Sequence, residues 1–314
     1  LVLVIIYSSY LFSKNFLIGD AWAFEDYDSS LHVAGWWMYV QDEWRFPLLK
    51  SLRFNDFGGL NLAFADGIPI AGLFFKSIKG ILPAHFHYFG YWYLFVYALQ
   101  AFASTYFLRV LGAKTAFSVF VGFIFVLTWP ALVLRFGHAA LSAQCLLIFA
   151  MAIYFAGRTD QIKIDTATKI LGLFSIIGLL IHPYLYPPLV AIFLVLLLDF
   201  YLQEKKLIQI IKYLIIYGVI LAFLIYILGY LDHDTNNGGG GYAIIFRLDL
   251  LSPFCGNGKL FKCDFVKEGI DEWERVNYFG LGLIILLPYA IYLGIGKYKT
   301  FIMKYKYFLL FPFN

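Results

Sequence analysis

The stretch ILGLFSIIGLLI-HPYLYPP-LVAIFLVLLLDF, residues Ile170–Phe200, decides the fold. It is apolar on both sides of an interruption that runs from His182-Pro183 to Pro187-Pro188. As one helix its 31 residues would reach about 46 Å at ~1.5 Å each, too long for a single crossing of a hydrocarbon layer about 30 Å thick. Lys163 and Lys169 flank one end, and Lys205, Lys206 and Lys212 flank the other. Cytoplasmic loops hold the excess of Lys and Arg, so both ends face the cytoplasm. The stretch is therefore predicted to cross twice, with the His-Pro turn outside.

Further apolar runs lie to either side: Leu1–Ile18, Phe89–Leu108, Ala116–Leu134, Ala139–Ala156, Leu207–Leu228 and Phe279–Ile295. Together they predict an all-α polytopic membrane protein with about eight transmembrane helices. Tyr307–Pro312 reads as the start of a ninth. The whole of 1–314 reads as a single transmembrane domain and as a fragment, because it begins and ends inside apolar runs. Composition agrees: 61% of residues are hydrophobic and 14% charged, more apolar surface than a soluble domain of this length can bury. The net charge of +4 is small and the basic residues are accounted for by topology, so no nucleic-acid partner is expected.

Arg109/Lys114, Arg158/Lys163 and the Lys297–Lys306 cluster alternate correctly as cytoplasmic. Two long loops, 19–87 and 231–277, then lie outside, and 16 of the 20 acidic residues fall within them. Long loops on a rigid scaffold usually carry function. In the first loop Glu25, Asp26 and Asp28 crowd together, where like charges repel and favour a shared proton or a bound cation. After Asp28, Val33, Trp36, Trp37, Val40 and Trp44 recur at helical spacing. This predicts an interfacial amphipathic helix with Asp28 at its N-terminus.

Asp66-Gly67 is expected to cap a second shallow helix over Ile68–Ile78, whose Lys76 and Lys79 would reach lipid phosphates. Arg135 and His138, at the outer end of a span, and His182, at the outer turn, are candidate contacts for a phosphate or a sugar. Asp232-His233-Asp234 offers weak ligands, Asp232 and Asp234, for a divalent cation. The glycine run 238–241 lacks a following Lys-Ser/Thr and reads as a flexible segment rather than a phosphate loop. His85 and His87 have no third ligand beside them in sequence, so no zinc site is expected there. Cys255 and Cys263 share an outside loop, where an oxidising compartment would allow a disulfide, and Cys145 reads as packing.

The chain resembles the GT-C superfamily of membrane glycosyltransferases that use polyprenyl-phosphate sugars, and more closely a bacterial GT-C-like branch. The resemblance is carried in order by Asp28–Trp36, Trp44–Pro47, Phe64–Pro69, Phe89–Trp92 with Leu99-Gln100, Arg135–His138, His182–Tyr184 and Tyr278–Gly282. It implies a GT-C-like fold and a multi-pass protein of the inner (plasma) membrane, with its active face extracytoplasmic. It also implies a lipid-linked sugar donor, a glycan or lipid acceptor, and a cell-envelope role. An acid just before the juxtamembrane helix is implied as catalytic base or acceptor contact; by position Asp28 matches first and Asp26 second. Glu25, Asp66, Arg135, His138, His182 and Glu274 become substrate-binding candidates. The donor is a polyprenyl-phosphate sugar, and a divalent cation is compatible with the acidic clusters.

Two other classes remain. A transporter or flippase of lipid-linked or polar solutes calls for ionisable residues near the bilayer midplane, and the spans here carry almost none. A non-catalytic envelope assembly protein would keep the fold without the chemistry.

Overall fold

The structure of the protein is a computed structural model that describes residues 2–19, 27–54, 58–128, 132, 137–232, 281–294 and 305, with the side chains of 27–29, 281, 283, 293 and 294 excepted. The chain divides into two compact units, Leu1–His233 with Tyr307–Asn314, and Asp234–Lys306. In the second unit the described helix is Leu281–Gly294, which carries Pro288 within it.

The first unit is built on helices. The deciding stretch forms two of them, Ile164–Ile181 (α8) and Tyr186–Glu204 (α9). Pro183 cannot follow a helical residue comfortably, so His182 is driven into extended backbone at φ −159° and ψ 136°. A 3₁₀ turn, Pro183–Leu185, reverses the chain, and Pro187 in the first turn of α9 costs no hydrogen bond because its N–H would be an orphan there. Lys205, left-handed at φ 55°, ends α9. The helices α8 and α9 pack against each other, so the two halves of the stretch are separate segments.

Before them come Val2–Leu11 (α1), Lys14–Leu17 (α2), Tyr27–Gln41 (α3), Pro69–Ser77 (α4), Phe89–Val110 (α5), Thr115–Thr128 (α6) and Cys145–Arg158 (α7), and after them Leu207–Leu228 (α10). The helix α5 packs on α6 and α7, α7 packs on α8 and α9, and α4 rests on α8. Among the described residues, four helical segments are long and apolar enough to cross a membrane: Ala140–Arg158, Ile164–Ile181, Pro183–Glu204 and Leu207–Leu228. The chain is a membrane protein of helical architecture. On α10 the apolar side chains Ile208, Ile215, Val219 and Phe223 are exposed, and lipid is the solvent that tolerates such a face.

Hydrogen bonds separate the two ends of the bundle. At the end bearing the basic turns, Gln161 donates to the Val110 carbonyl at 2.8 Å and Gln209 donates to Asp165 at 2.6 Å. At the other end Trp92 Nε1 donates to the Ala139 carbonyl at 2.7 Å and the Tyr230 hydroxyl donates to the Leu179 carbonyl at 2.7 Å. There too, Asn61 Nδ2 reaches the carbonyls of Leu228 and Gly229 at 2.7 and 3.0 Å.

One close approach has a measurable consequence. A Cβ on Gly90 would lie 2.0 Å from the Phe16 carbonyl oxygen and 2.5 Å from Leu17 Cα, both backbone atoms that cannot step aside. Gly90→Ala must push α2 off α5. It is expected to destabilise by about 3 kcal/mol, at the upper end of overpacking costs. A thermal melt in detergent at fixed scan rate measures this, and an unchanged midpoint would contradict the contact.

Candidate functional site

The described part of the segment between α2 and α5 is a small folded layer. Helix α3 buries Val33, Trp36 and Tyr39 with His32, while Trp37 is only half-buried and Trp44 lies beyond the end of the helix. The expected stripe is thus displaced: the buried face turns towards protein, because Trp36 Nε1 finds the Phe86 carbonyl at 2.9 Å and Tyr39 finds that of Leu48 at 2.7 Å. An antiparallel ribbon, Lys50–Ser51 (β1) with Leu60–Asn61 (β2), follows. The Asp42 carboxylate ties α3 to it. It accepts from the amides of Glu43 and Leu52, both at 2.8 Å, from Ser51 Oγ at 3.0 Å and from Arg45 at 2.7 Å. Burial pushes this carboxyl up, but the four donors outweigh it and hold it well below the usual carboxylate range.

After β2 a 3₁₀ turn, Leu62–Ala65, delivers the chain to Asp66, left-handed at φ 52°, and then to Ile68 at φ 47°. Asp tolerates this region, but a β-branched residue there is strained. Two contacts impose the conformation. Tyr88 donates its hydroxyl to the Gly67 carbonyl, and Gly67 has no room for a Cβ, which would fall 2.2 Å from Leu62 Cδ1. Asp66 therefore does not cap the next helix, which starts at Pro69 with Ile68 as its cap residue and no side-chain capping bond. Its carboxylate points elsewhere.

It points into a ring of imidazoles. His182 Nε2 lies 2.5 Å from Asp66 Oδ1, His32 Nε2 lies 3.2 Å from Oδ2, and His138 Nδ1 lies 3.4 Å from the same Oδ2. These groups come from four places: α3, the turn after β2, the segment before Ala139, and the junction of α8 with α9. Trp92 holds the His138 segment through Ala139. His182 Nδ1 accepts the Tyr184 amide at 3.0 Å, so its proton resides on Nε2 and is donated to Asp66. His32 and His182 are buried, and the His138 side chain is 33% exposed, which leaves it as the open side of the cluster. Burial pushes the Asp66 carboxyl up, yet the bonds from His138, His182 and His32 hold it well below the ordinary carboxylate range. Asp66 is consequently a fixed anion and a poor proton acceptor, suited to orienting imidazoles or holding a cation.

The structure thus brings together three residues that the sequence singles out separately, Asp66, His138 and His182, and adds His32, which it does not single out. A signal for His32 does exist: a histidine between Leu31 and Val33, on the buried face of an amphipathic helix, requires a buried partner. Asp28 lies four residues before His32 on α3, so the two positions share a face of that helix. Glu25, Asp26, Arg135, Asp234, Glu274 and the pair Cys255 and Cys263 lie outside the described residues. Asp232 is paired with Lys50 at 2.6 Å. Lys76 is not at a lipid surface. It is 1% exposed, donates to the Glu43 carbonyl at 3.2 Å and lies over the Tyr39 ring at 3.9 Å. Burial pulls its amine down to about 8, with Asp42 acting in the opposite sense. Lys79 remains exposed beside a cleft of about 350 Å³ lined by Trp36, Trp37, Val40 and Phe86, which includes none of the Asp66 cluster.

No curated protein and no solved structure matches the chain. A family model matches residues 1–313, and the chain belongs to that family, described as a domain of unknown function (DUF6311).

Proposed function

We propose that the protein is a membrane glycosyltransferase, moving a sugar from a polyprenyl-phosphate donor to a hydroxyl of a glycan or lipid acceptor on the extracytoplasmic side. The observation that carries this reading is the half-buried Asp66 ringed by His32, His138 and His182 at the end of an apolar bundle opposite its basic turns. Loop charge assigns the segments bearing residues 32, 66, 138 and 182 to the outer face one by one. Their convergence on one carboxylate supports that common side. Such a polar centre, at the level where a lipid-linked headgroup sits, fits transfer chemistry better than solute passage, which needs charge along a path through the spans.

In the transfer step the acceptor oxygen attacks the anomeric carbon. The bond from that carbon to the phosphate oxygen breaks, and its electron pair leaves with the polyprenyl phosphate. The acceptor proton passes to a base. Asp66 is too weakly basic for that role, so the resemblance leaves it with Asp28, one helical turn before His32. The histidines supply donors towards the departing phosphate charge. In a membrane-reconstituted transfer assay with polyprenyl-phosphate sugar, Asp28→Asn is expected to lower the rate by about 10²–10⁴, the usual worth of a general base. An active wild type with transfer unchanged in Asp28→Asn would remove Asp28 from the mechanism. A wild type that neither binds nor turns over the donor would instead favour the assembly role.

A further inference from the structure

We propose that His32, Asp66 and His138 bind a divalent transition-metal ion of the zinc class, with His182 as the residue that orients the carboxylate from behind. Any use of the ion in transfer rests on the glycosyltransferase reading above. Its binding does not.

The first argument is geometric. Ligand atoms from His32, Asp66 and His138 lie within 4.8 Å of one another. Metal–ligand bonds of roughly 2.0–2.2 Å at tetrahedral angles place neighbouring ligand atoms roughly 3.3–3.5 Å apart. The separations of 3.2 Å and 3.4 Å from Asp66 Oδ2 to the two imidazole nitrogens match this edge length. The 3.4 Å contact is already long for a hydrogen bond to a carboxylate, whereas His182, at 2.5 Å on the other oxygen, is a short one.

The second argument is the proton inventory. A ligating imidazole must offer a lone pair to the metal. His182 cannot do so at Nε2, because its Nδ1 already accepts the Tyr184 amide and the proton must stay on Nε2. It therefore serves as the outer partner of the carboxylate, the place such hydrogen bonds take around metal ligands. His32 is under no such constraint. Its ring is 6% exposed, and among the described residues its Nδ1 has no hydrogen-bond partner. Moving its proton to Nδ1 costs no existing bond there and frees Nε2 towards Asp66 Oδ2.

The third argument is ligand type and access. Two imidazoles and one carboxylate are a donor set suited to zinc and to other first-row divalent ions, and three protein ligands leave a position open. Here the partly exposed His138 marks the open side.

The test uses the full chain, purified in detergent, stripped with chelator, desalted, and titrated with Zn²⁺ by calorimetry and with Co²⁺ by visible absorption. About one equivalent per chain is expected, with a tetrahedral Co²⁺ spectrum. His32→Ala and His138→Ala are expected to weaken zinc binding by about 100-fold or more, and His182→Gln by about 10–100-fold, as for outer-shell partners. His85→Ala, an exposed imidazole stacked on Trp37 away from the cluster, should bind as wild type. Wild-type protein that takes up neither ion overturns the proposal without reference to any variant. So does uptake that persists unchanged in folded His32→Ala and His138→Ala proteins. Metal binding without sugar transfer would refute the transferase reading alone, and metal-independent transfer by a chain that binds no ion would refute this inference alone.

Discussion

Asp66→Asn is expected to abolish sugar transfer and to destabilise the first unit by about 2–4 kcal/mol, the cost of leaving buried charged-type hydrogen bonds half made. The carboxamide oxygen can still accept from His182. Its amide nitrogen, however, now faces His32 and His138, where the carboxylate accepted at 3.2 Å and 3.4 Å. The negative charge that gathers three imidazoles is gone, and their segments, which lie at positions 32, 138 and 182 of the chain, lose their common anchor. The pH dependence carries a definite sign. The Asp66 carboxyl is held below its ordinary value in the fold. Its contribution is therefore complete above the unfolded carboxylate range, near pH 4, and is lost as pH falls through the lower folded value. The stability gap between wild type and Asp66→Asn should accordingly be full at neutral pH and should shrink only under strongly acidic conditions. Thermal melts from neutral to acid pH measure it, and a gap already lost in mildly acidic buffer would contradict the assignment.

Asp42→Ala is the second large effect. One carboxylate there satisfies two backbone amides, a hydroxyl and a guanidinium, and the residue is 6% exposed. Removing it takes the acceptor from the Leu52 and Glu43 amides and from Arg45, and leaves the buried Ser51 hydroxyl only its longer bond to the Met38 carbonyl at 3.3 Å. An expected loss of about 3–4 kcal/mol follows from unmet buried donors at about 1–3 kcal/mol each, with water reaching some of them. The consequence reaches the Asp66 cluster through structure alone. Asp42 fixes β1, β1 pairs Lys50 with Asn61 of β2, and Asn61 begins the turn that presents Asp66. Asp42→Ala should therefore lower transfer and zinc affinity along with stability. Limited proteolysis over residues 42–60 is expected to accelerate, and an unaltered cleavage rate would show that the ribbon holds without Asp42.

The helices were legible from the sequence because their signal is local. Apolar runs, Pro183 and Pro187, and the lysines at 163, 205 and 206 predict two segments joined at His182, and α8 and α9 are those segments. The apolar run opening the chain was less legible: it divides into α1 and α2, with Ser13 Oγ capping α2 by accepting the Phe16 amide. The order of the stripe on α3 misled in part, since hydrophobic spacing gives a face but not what that face meets. A protein layer and a membrane surface both accept Val33 and Trp36, and only the carbonyls of Phe86 and Leu48 choose between them. Lys76 shows the same limit: a lysine on a short helix is ordinarily solvated, and here the rings of Tyr39 and Trp44 enclose it.

The sequence by itself determined that the chain is helical and membrane-embedded, and it marked the two long loops as the place where its acidic residues gather. Hydrophobicity, proline and lysine act over a few residues and leave their imprint in order along the chain. Only the tertiary structure decided that Asp66 belongs with His32, His138 and His182. No spacing rule links positions so far apart. A half-buried carboxylate must find donors, and which donors it finds depends on how α3, the strained turn at Asp66 and Ile68, the Trp92-held segment at Ala139 and the α8–α9 turn pack together.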